Sequence, residues 1–413
     1  MARILVHTLG SSGDVNPFLA LALELRRRGH DIRFALSPSF AEKARDLGFA
    51  ATVTGPDPDP DSDLLKRLIA PTPDVTIPIR LLFEEVLIPA IVPAAEALEP
   101  LARDADLFLS HIIQLAAPAV AARTGVRWAS ATGAITCYPS GQSPPTGVAL
   151  RGLPSALCRL PWAIARRVFR DLDAPAAAAY RRLGVPPLPN IALGGAYSRR
   201  LTLGLWSPAF FPRPSDWPAW LQVGGYARWD ASGPSSPARP ELGAGGPLIV
   251  FTLGSSVVND PREFYEAALE AIAPTDWRAV LLGAPDTLPV PPSLAGRVAA
   301  VRYAPYADLF PLADAIVHQG GAGTTQAACY YGIPNIVVPR GFDQWENAAH
   351  IQRNGWGLRL QPQDFSSHAL RLRLERLLGD ADIHARVAAL GEKMRAEPGP
   401  ARSADLLEAA LEP

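Results

Sequence analysis

Cysteine is scarce in this 413-residue chain: Cys137, Cys158 and Cys329 are odd in number and far apart, which argues against a disulfide framework and against a zinc site. A reducing cytoplasm is the compartment this fits. Lysine is nearly missing too, with Lys43, Lys66 and Lys393 the only three among 39 basic residues. With so much Ala and Pro, this reads as the composition of a GC-rich genome and not as a functional arginine code. Forty acidic residues balance the basic ones, the net charge is −1, and no block of five like charges occurs, so nothing calls for nucleic acid. No run of 18 uncharged apolar residues exists, and no transmembrane span is expected. The N-terminus enters a strand-like segment directly, with no charged region before a cleavable apolar stretch, so no signal peptide is expected.

What the chain does carry is a repeat. Thr8, Leu9, Gly10, Ser11 and Ser12 end one apolar run, and Thr252, Leu253, Gly254, Ser255 and Ser256 end another in the other half. At this length two domains are expected, and the repeat puts a buried strand and a glycine turn at the start of each. Arg3 to Thr8 reads as a strand. A helix follows from near Asn16, with Pro17 in its first turn and Gly29 as its C-terminal cap, and Asp31 to Leu36 is the next strand. The crossover of such a β-α-β unit implies a parallel sheet.

The alternation continues with an amphipathic stretch from Ile79 to Leu101, a strand at Asp106 to Ser110, a helix from Leu115 to Arg123 and a strand around Val126 to Ala129. Between Thr132 and Tyr197 the order weakens. That Pro- and Gly-rich segment, with Trp162, Phe169 and Tyr180, is where a substrate cleft is expected, simple packing being the competing reading for each aromatic. Residues 231–246 form a Pro-, Gly- and Ser-rich linker, which gives domains at 1–230 and 247–402 and a last helical segment at 403–413. Past the linker, strands at Leu248 to Thr252, Arg278 to Leu282, Arg297 to Val301, Ala315 to Val317 and Asn335 to Val338, with a helix from Arg262 to Ile272, repeat the β-α-β pattern. The fold class is α/β, with two Rossmann-like domains.

The densest constellation runs from Val317 to Ile351. A strand ends, Gly320, Gly321 and Gly323 make a turn, and Thr324 and Thr325 open a helix. Exposed amides at the positive end of a helix dipole seat a phosphate, and glycine lets the backbone come close. No Lys follows the last glycine, so this is not a Walker loop, and the spacing is not that of the dinucleotide fingerprint. Asp343 and Gln344 begin the next helix after another strand end, at the edge where open α/β sheets bind ligands.

The stretches Gly10 to Ala22 and Tyr303 to Ile351 resemble the UDP-glycosyltransferase superfamily, inverting enzymes of the two-domain GT-B fold, and the likeness is nearest to bacterial rhamnosyltransferases and macrolide-decorating enzymes. It covers almost the whole chain. The resemblance implies transfer of a hexose or deoxyhexose from a nucleotide diphosphate sugar to a hydroxyl of a lipophilic small molecule. It implies two domains facing across a cleft, with the turn Gly10, Ser11, Ser12 and Gly13 pointing into it. It gives His318 and the amides after Gly321 to the donor diphosphate, in a seat made with Gly320, Gly323 and Thr324, and sets Ser255 and Ser256 opposite. Tyr303 takes the place of a Trp stacked on the nucleobase, Asp343 and Gln344 hold sugar hydroxyls, and Asn347 falls near the phosphates.

Two departures stand out against plant members of the superfamily. Where those have Trp-x-Pro-Gln, this chain has Tyr303, Ala304, Pro305 and Tyr306. Where they grip the ribose diol with a Glu, it has Gln326, a neutral acceptor in place of a charge-assisted one. That favours a dTDP-sugar and leaves UDP-glucose open. The resemblance also implies no metal and no further cofactor, the leaving diphosphate being stabilised by the helix dipole and His318.

Transfer requires a base for the acceptor hydroxyl. Asp14, just past the first glycine turn, stands where the resemblance puts a catalytic His or Asp, and capping the following helix is its competing role. His111, at a strand end, is the reserve base or an acceptor contact, with Trp162 and Phe169 on the acceptor side. An epimerase of the same architecture and a catalytically silent nucleotide-sugar-binding partner remain as alternatives.

Overall fold

Strands covered on both faces need nearly unbroken apolar sequence, and the longer strands of this chain have it. The computed structural model describes residues 1–57, 59, 62–68, 70, 72, 74–142, 145, 155–229, 242–254 and 261–412. The chain gathers into two units, Met1–Ala227 together with Pro398–Pro413, and Arg228–Glu397.

The first unit holds seven parallel strands: β1 (Arg3–His7), β2 (Asp31–Leu36), β3 (Ala50–Val53), β4 (Leu107–His111), β5 (Arg127–Thr132), β6 (Thr202–Gly204) and β7 (Leu221–Val223), in the order β3-β2-β1-β4-β5-β6-β7. Its first helix, Ser12–Arg27, begins a turn earlier than expected because Ser11, not Asp14, is the capping residue. Pro17 consequently lies in the second turn, where it withholds the bond to the Gly13 carbonyl. The stretch from Ile79 to Leu101 is not one helix but Thr76–Leu81, a π-helical turn Leu82–Leu87 and Ile91–Arg103. Pro89, with no N–H to give, falls at the break.

The helix Pro400–Leu411 packs in the first unit, with Ala404 and Leu407 buried. Arg28 donates to Asp405 at 2.6 Å, to Glu408 at 2.8 Å and to the Ala401 carbonyl at 2.9 Å, and His30 Nε2 lies 3.0 Å from Glu408.

The second unit holds six parallel strands: β8 (Leu248–Thr252), β9 (Arg278–Leu282), β10 (Val298–Val301), β11 (Ala315–His318), β12 (Asn335–Val337) and β13 (Gly357–Arg359), in the order β10-β9-β8-β11-β12-β13. Alternate residues of β8 feed two cores. Ile249 and Phe251 pack with Phe264 and Leu374, while Leu248 and Val250 pack with Phe310 and Ala328. Of the expected linker, residues 231–241 lie outside those described. Gly243 N already donates to Gly296 O at 2.8 Å, and Gly246 N to Asp276 O at 3.0 Å.

In each sheet the strand order reverses beside the unit's first strand, between β1 and β4 and between β8 and β11. Connections leave in opposite directions there, opening a crevice at the carboxyl ends. The repeated pentapeptide begins at that point in both units. Among the described residues no helix is long and apolar enough to cross a membrane.

Candidate functional site

In the first unit the turn after β1 is built around Asp14. Gly10 takes φ +115, and a Cβ there would fall 2.4 Å from Asp14 Oδ2, so only glycine lets the carboxylate fold back over the turn. Asp14 Oδ2 accepts from Ser11 N at 2.8 Å and from Ser11 Oγ at 3.1 Å, while Ser11 Oγ accepts from Gly13 N at 3.2 Å. This reciprocal capping leaves Oδ1 open, and the side chain is 37% exposed. Across the switch point, His111 at the end of β4 brings Nε2 to 3.7 Å from that oxygen. His7 is a separate, buried strut. Its Nδ1 donates to Ala35 O at 2.7 Å, Nε2 faces Gln114 Nε2, and burial pushes it down to about 4.

The acceptor-side aromatics are placed differently from the expectation. Trp162 and Phe169 are buried, because positions 158, 162 and 169 fall on the inward face of the helix Ser155–Val168 and its continuation. Leu157, Leu160, Ile164 and Val168 are the large apolar residues exposed there.

In the second unit the two switch-point turns meet. Gly254, at φ +64, has Gln319 Nε2 within 2.5 Å of where a Cβ would stand, and Gly320, at φ +94, has Val337 Cγ1 at 2.7 Å. Ser255 and Ser256 lie outside the described residues. Gly321 caps the helix Ala322–Tyr330, which includes Gly323 and presents the first-turn amides that no helical carbonyl can take. Thr324 Oγ1 lies 2.9 Å from Tyr306 OH, and Tyr306 stacks on Phe310 at 4.1 Å. Tyr303, just past β10, is 51% exposed.

Three residues expected at the donor, His318, Gln344 and Asn347, bond within the protein. His318 is fully buried: Nδ1 accepts from Gly320 N at 3.0 Å and Nε2 donates to Asn335 Oδ1 at 3.0 Å. Burial pushes it down to about 4, which fits a neutral ring propping the turn. Gln344 Oε1 accepts from Arg340 N at 2.8 Å and Gly341 N at 3.1 Å. Asn347 Nδ2 donates to Gly320 O at 2.8 Å and Asp343 Oδ2 at 3.1 Å, tying the glycine turn to Asp343. Gln326 is buried in the same helix, Ala322–Tyr330.

Sequence reasoning passed over Gln319, whose buried Oε1 has no hydrogen-bond partner among the described residues, and Arg340, whose buried Nε and Nη2 likewise have none there. It also missed the backbone of Phe342, at φ +48 just before Asp343. Only the exposed-amide argument hinted at Gln319, and nothing in the pattern pointed to the other two. Among the described residues, no three His, Cys, Asp or Glu side chains gather as a metal-holding group.

Comparison with known proteins bears on both halves. Residues 267–410 match the family model of the erythromycin biosynthesis protein CIII-like C-terminal domain, and residues 4–55 that of the glycosyltransferase family 28 N-terminal domain. The O-mycaminosyltylonolide 6-deoxyallosyltransferase of Streptomyces fradiae is 29% identical, over 98% of this chain and 97% of its own. Among solved structures, the glycotransferase of kitacinnamycin has a TM-score of 0.75 at 23% identity, covering 100% of this chain and 99% of its own. SsfS6 of Streptomyces sp. SF2575, complexed with thymidine diphosphate, has a TM-score of 0.71 at 19% identity, covering 99% and 100%. The chain is thus similar over nearly its whole length to a macrolide glycosyltransferase, and it shares the GT-B fold of the solved glycosyltransferases.

Proposed function

We propose that the protein is an inverting, metal-independent glycosyltransferase that moves a hexose or deoxyhexose from a dTDP- or UDP-sugar to a hydroxyl of an apolar small molecule in the cytoplasm. The observation that carries this reading is the asymmetric seat of Asp14, with one carboxylate oxygen locked by Ser11 and the other open at the sheet edge. The acceptor oxygen gives its proton to Asp14 Oδ1 while it bonds to the anomeric carbon. On the opposite face the bond from that carbon to the diphosphate breaks, the electron pair leaves with the diphosphate, and the configuration inverts. Charge gathering on the leaving group meets the amides and dipole at the start of the helix Ala322–Tyr330.

Support for the nucleotide comes from Tyr303, whose exposed ring offers a stacking face, and from the thymidine diphosphate bound to SsfS6. Gln326, a neutral acceptor where a Glu would grip the ribose diol, favours dTDP and leaves UDP within the reading. An apolar acceptor is supported by the exposed Leu157, Leu160, Ile164 and Val168 and by the tylonolide substrate that the Streptomyces fradiae relative's name records. Titration calorimetry of the full chain in EDTA should give heat with dTDP or UDP. No heat with either nucleotide sinks the donor reading, and heat that appears only on adding Mg²⁺ sinks metal independence.

A further inference from the structure

We infer that His111 is the positioning partner of Asp14, its Nε2–H holding the Oδ1 oxygen that receives the acceptor proton. The inference rests on the reading of Asp14 as general base. His111 is 4% exposed, and its Nδ1 accepts from Ile113 N at 3.2 Å. A backbone amide only donates, so that nitrogen's lone pair is occupied and the neutral ring carries its proton on Nε2. Among the described residues the buried Nε2 has no hydrogen-bond partner, and it stands 3.7 Å from Asp14 Oδ1.

At that separation the bond is not yet made, and a shift of about 0.8 Å makes it. Ser11 already fixes Oδ2, so contact with the ring on Oδ1 sets the plane of the carboxylate from both ends. The tilted ring of Phe18, 5.9 Å from the imidazole between centroids, limits how far His111 can turn away. Burial pushes His111 down and the charge of Asp14 pushes it back up, while the neighbouring His7 opposes a second positive charge. The same proton placement removes His111 as a base, since one nitrogen is blocked by an amide and the other holds its proton. The pair thus assigns donor and acceptor in one sense only: imidazole gives, carboxylate takes.

Histidine-selective ¹⁵N labelling of the full chain reads this without any acceptor, and seven histidines keep the spectrum simple. The resonances lost in His111→Gln should report the Nε2–H tautomer near neutral pH and should move in Asp14→Asn. An Nδ1–H tautomer, or resonances untouched by Asp14→Asn, overturns the inference. Turnover with dTDP-glucose or UDP-glucose and a hydroxycoumarin as probe acceptor gives the second arm. His111→Phe should lower kcat roughly tenfold to a hundredfold at unchanged dTDP affinity. His111→Gln, which keeps an N–H, should recover part of the loss, and in the Asp14→Asn background His111→Phe should cost nothing further. A full extra loss in that background, or no loss in His111→Phe while Asp14→Asn is inactive, removes the role of His111 and leaves the base reading standing. An active Asp14→Asn removes the base reading itself.

Discussion

Acidification should loosen this protein well before its carboxylates titrate, because each unit is propped by a buried neutral histidine at its switch point. In the second unit burial pushes His318 from 6.5 to about 4. Well above 6.5 the ring is neutral both folded and unfolded, and it adds no pH dependence. As the pH falls through 6.5, the unfolded chain takes up a proton that the fold refuses, so stability drops by roughly 1.4 kcal/mol per pH unit. The loss from His318 reaches about 2 kcal/mol near pH 5 and levels at about 3 kcal/mol once the pH passes 4. His7, pushed to about 4 as well, adds a similar amount in the first unit. The assay is denaturant unfolding at stepped pH for the wild type, His318→Gln and His7→Gln. Each variant should start less stable at alkaline pH but show a slope shallower by one proton below pH 6.5. Parallel slopes in wild type and variants, or a folded-state His318 resonance titrating near 6.5, would refute the reasoning.

Three other substitutions test separate parts of the structure. Arg28→Ala removes the bonds to Asp405, Glu408 and the Ala401 carbonyl; these groups are partly exposed, so the loss should be only about 1–2 kcal/mol, read as a lower Tm and faster proteolysis at the C-terminal helix. Gly320→Ala forces a side chain into φ +94 against Val337 and should cost about 1–3 kcal/mol as well as dTDP or UDP affinity. Gly296→Ala, at φ +76 in open space, should cost stability alone; equal affinity loss in both variants would mean that strain, not the seat, weakens binding.

The parts of the fold that were legible in sequence are those with a physical reason to be local. β4 and β8 are buried along their whole length and read as apolar runs, and the glycine turns show because few other residues tolerate a left-handed backbone. β6, β7 and β13 are three residues long and carry no period. The helix Ser155–Val168 has one wide apolar stripe opposite Arg159, Arg166 and Arg167, and its periodicity cannot tell Trp162 on one flank, which is buried, from Ile164 on the other, which is exposed. The nearness of Asp14 and His111 follows from β1 pairing with β4, a fact of strand order that no spacing along the chain records. Gln344 was in plain view as half of a sugar-binding pair, yet its carboxamide oxygen turns back onto the loop that Phe342 bends.

The helix Pro400–Leu411 also imposes an order on synthesis. The strands of the first sheet leave the ribosome early, but Arg28 meets Asp405 and Glu408 only after the whole of 228–397 has been made. Domains emerging in sequence usually close in sequence. Here the first unit must wait, with the apolar surface that later takes Ala404 and Leu407 still bare while the second unit folds. A nascent chain that stalls before this helix therefore presents that bare surface to chaperones and proteases, and the closing of the helix completes the first unit.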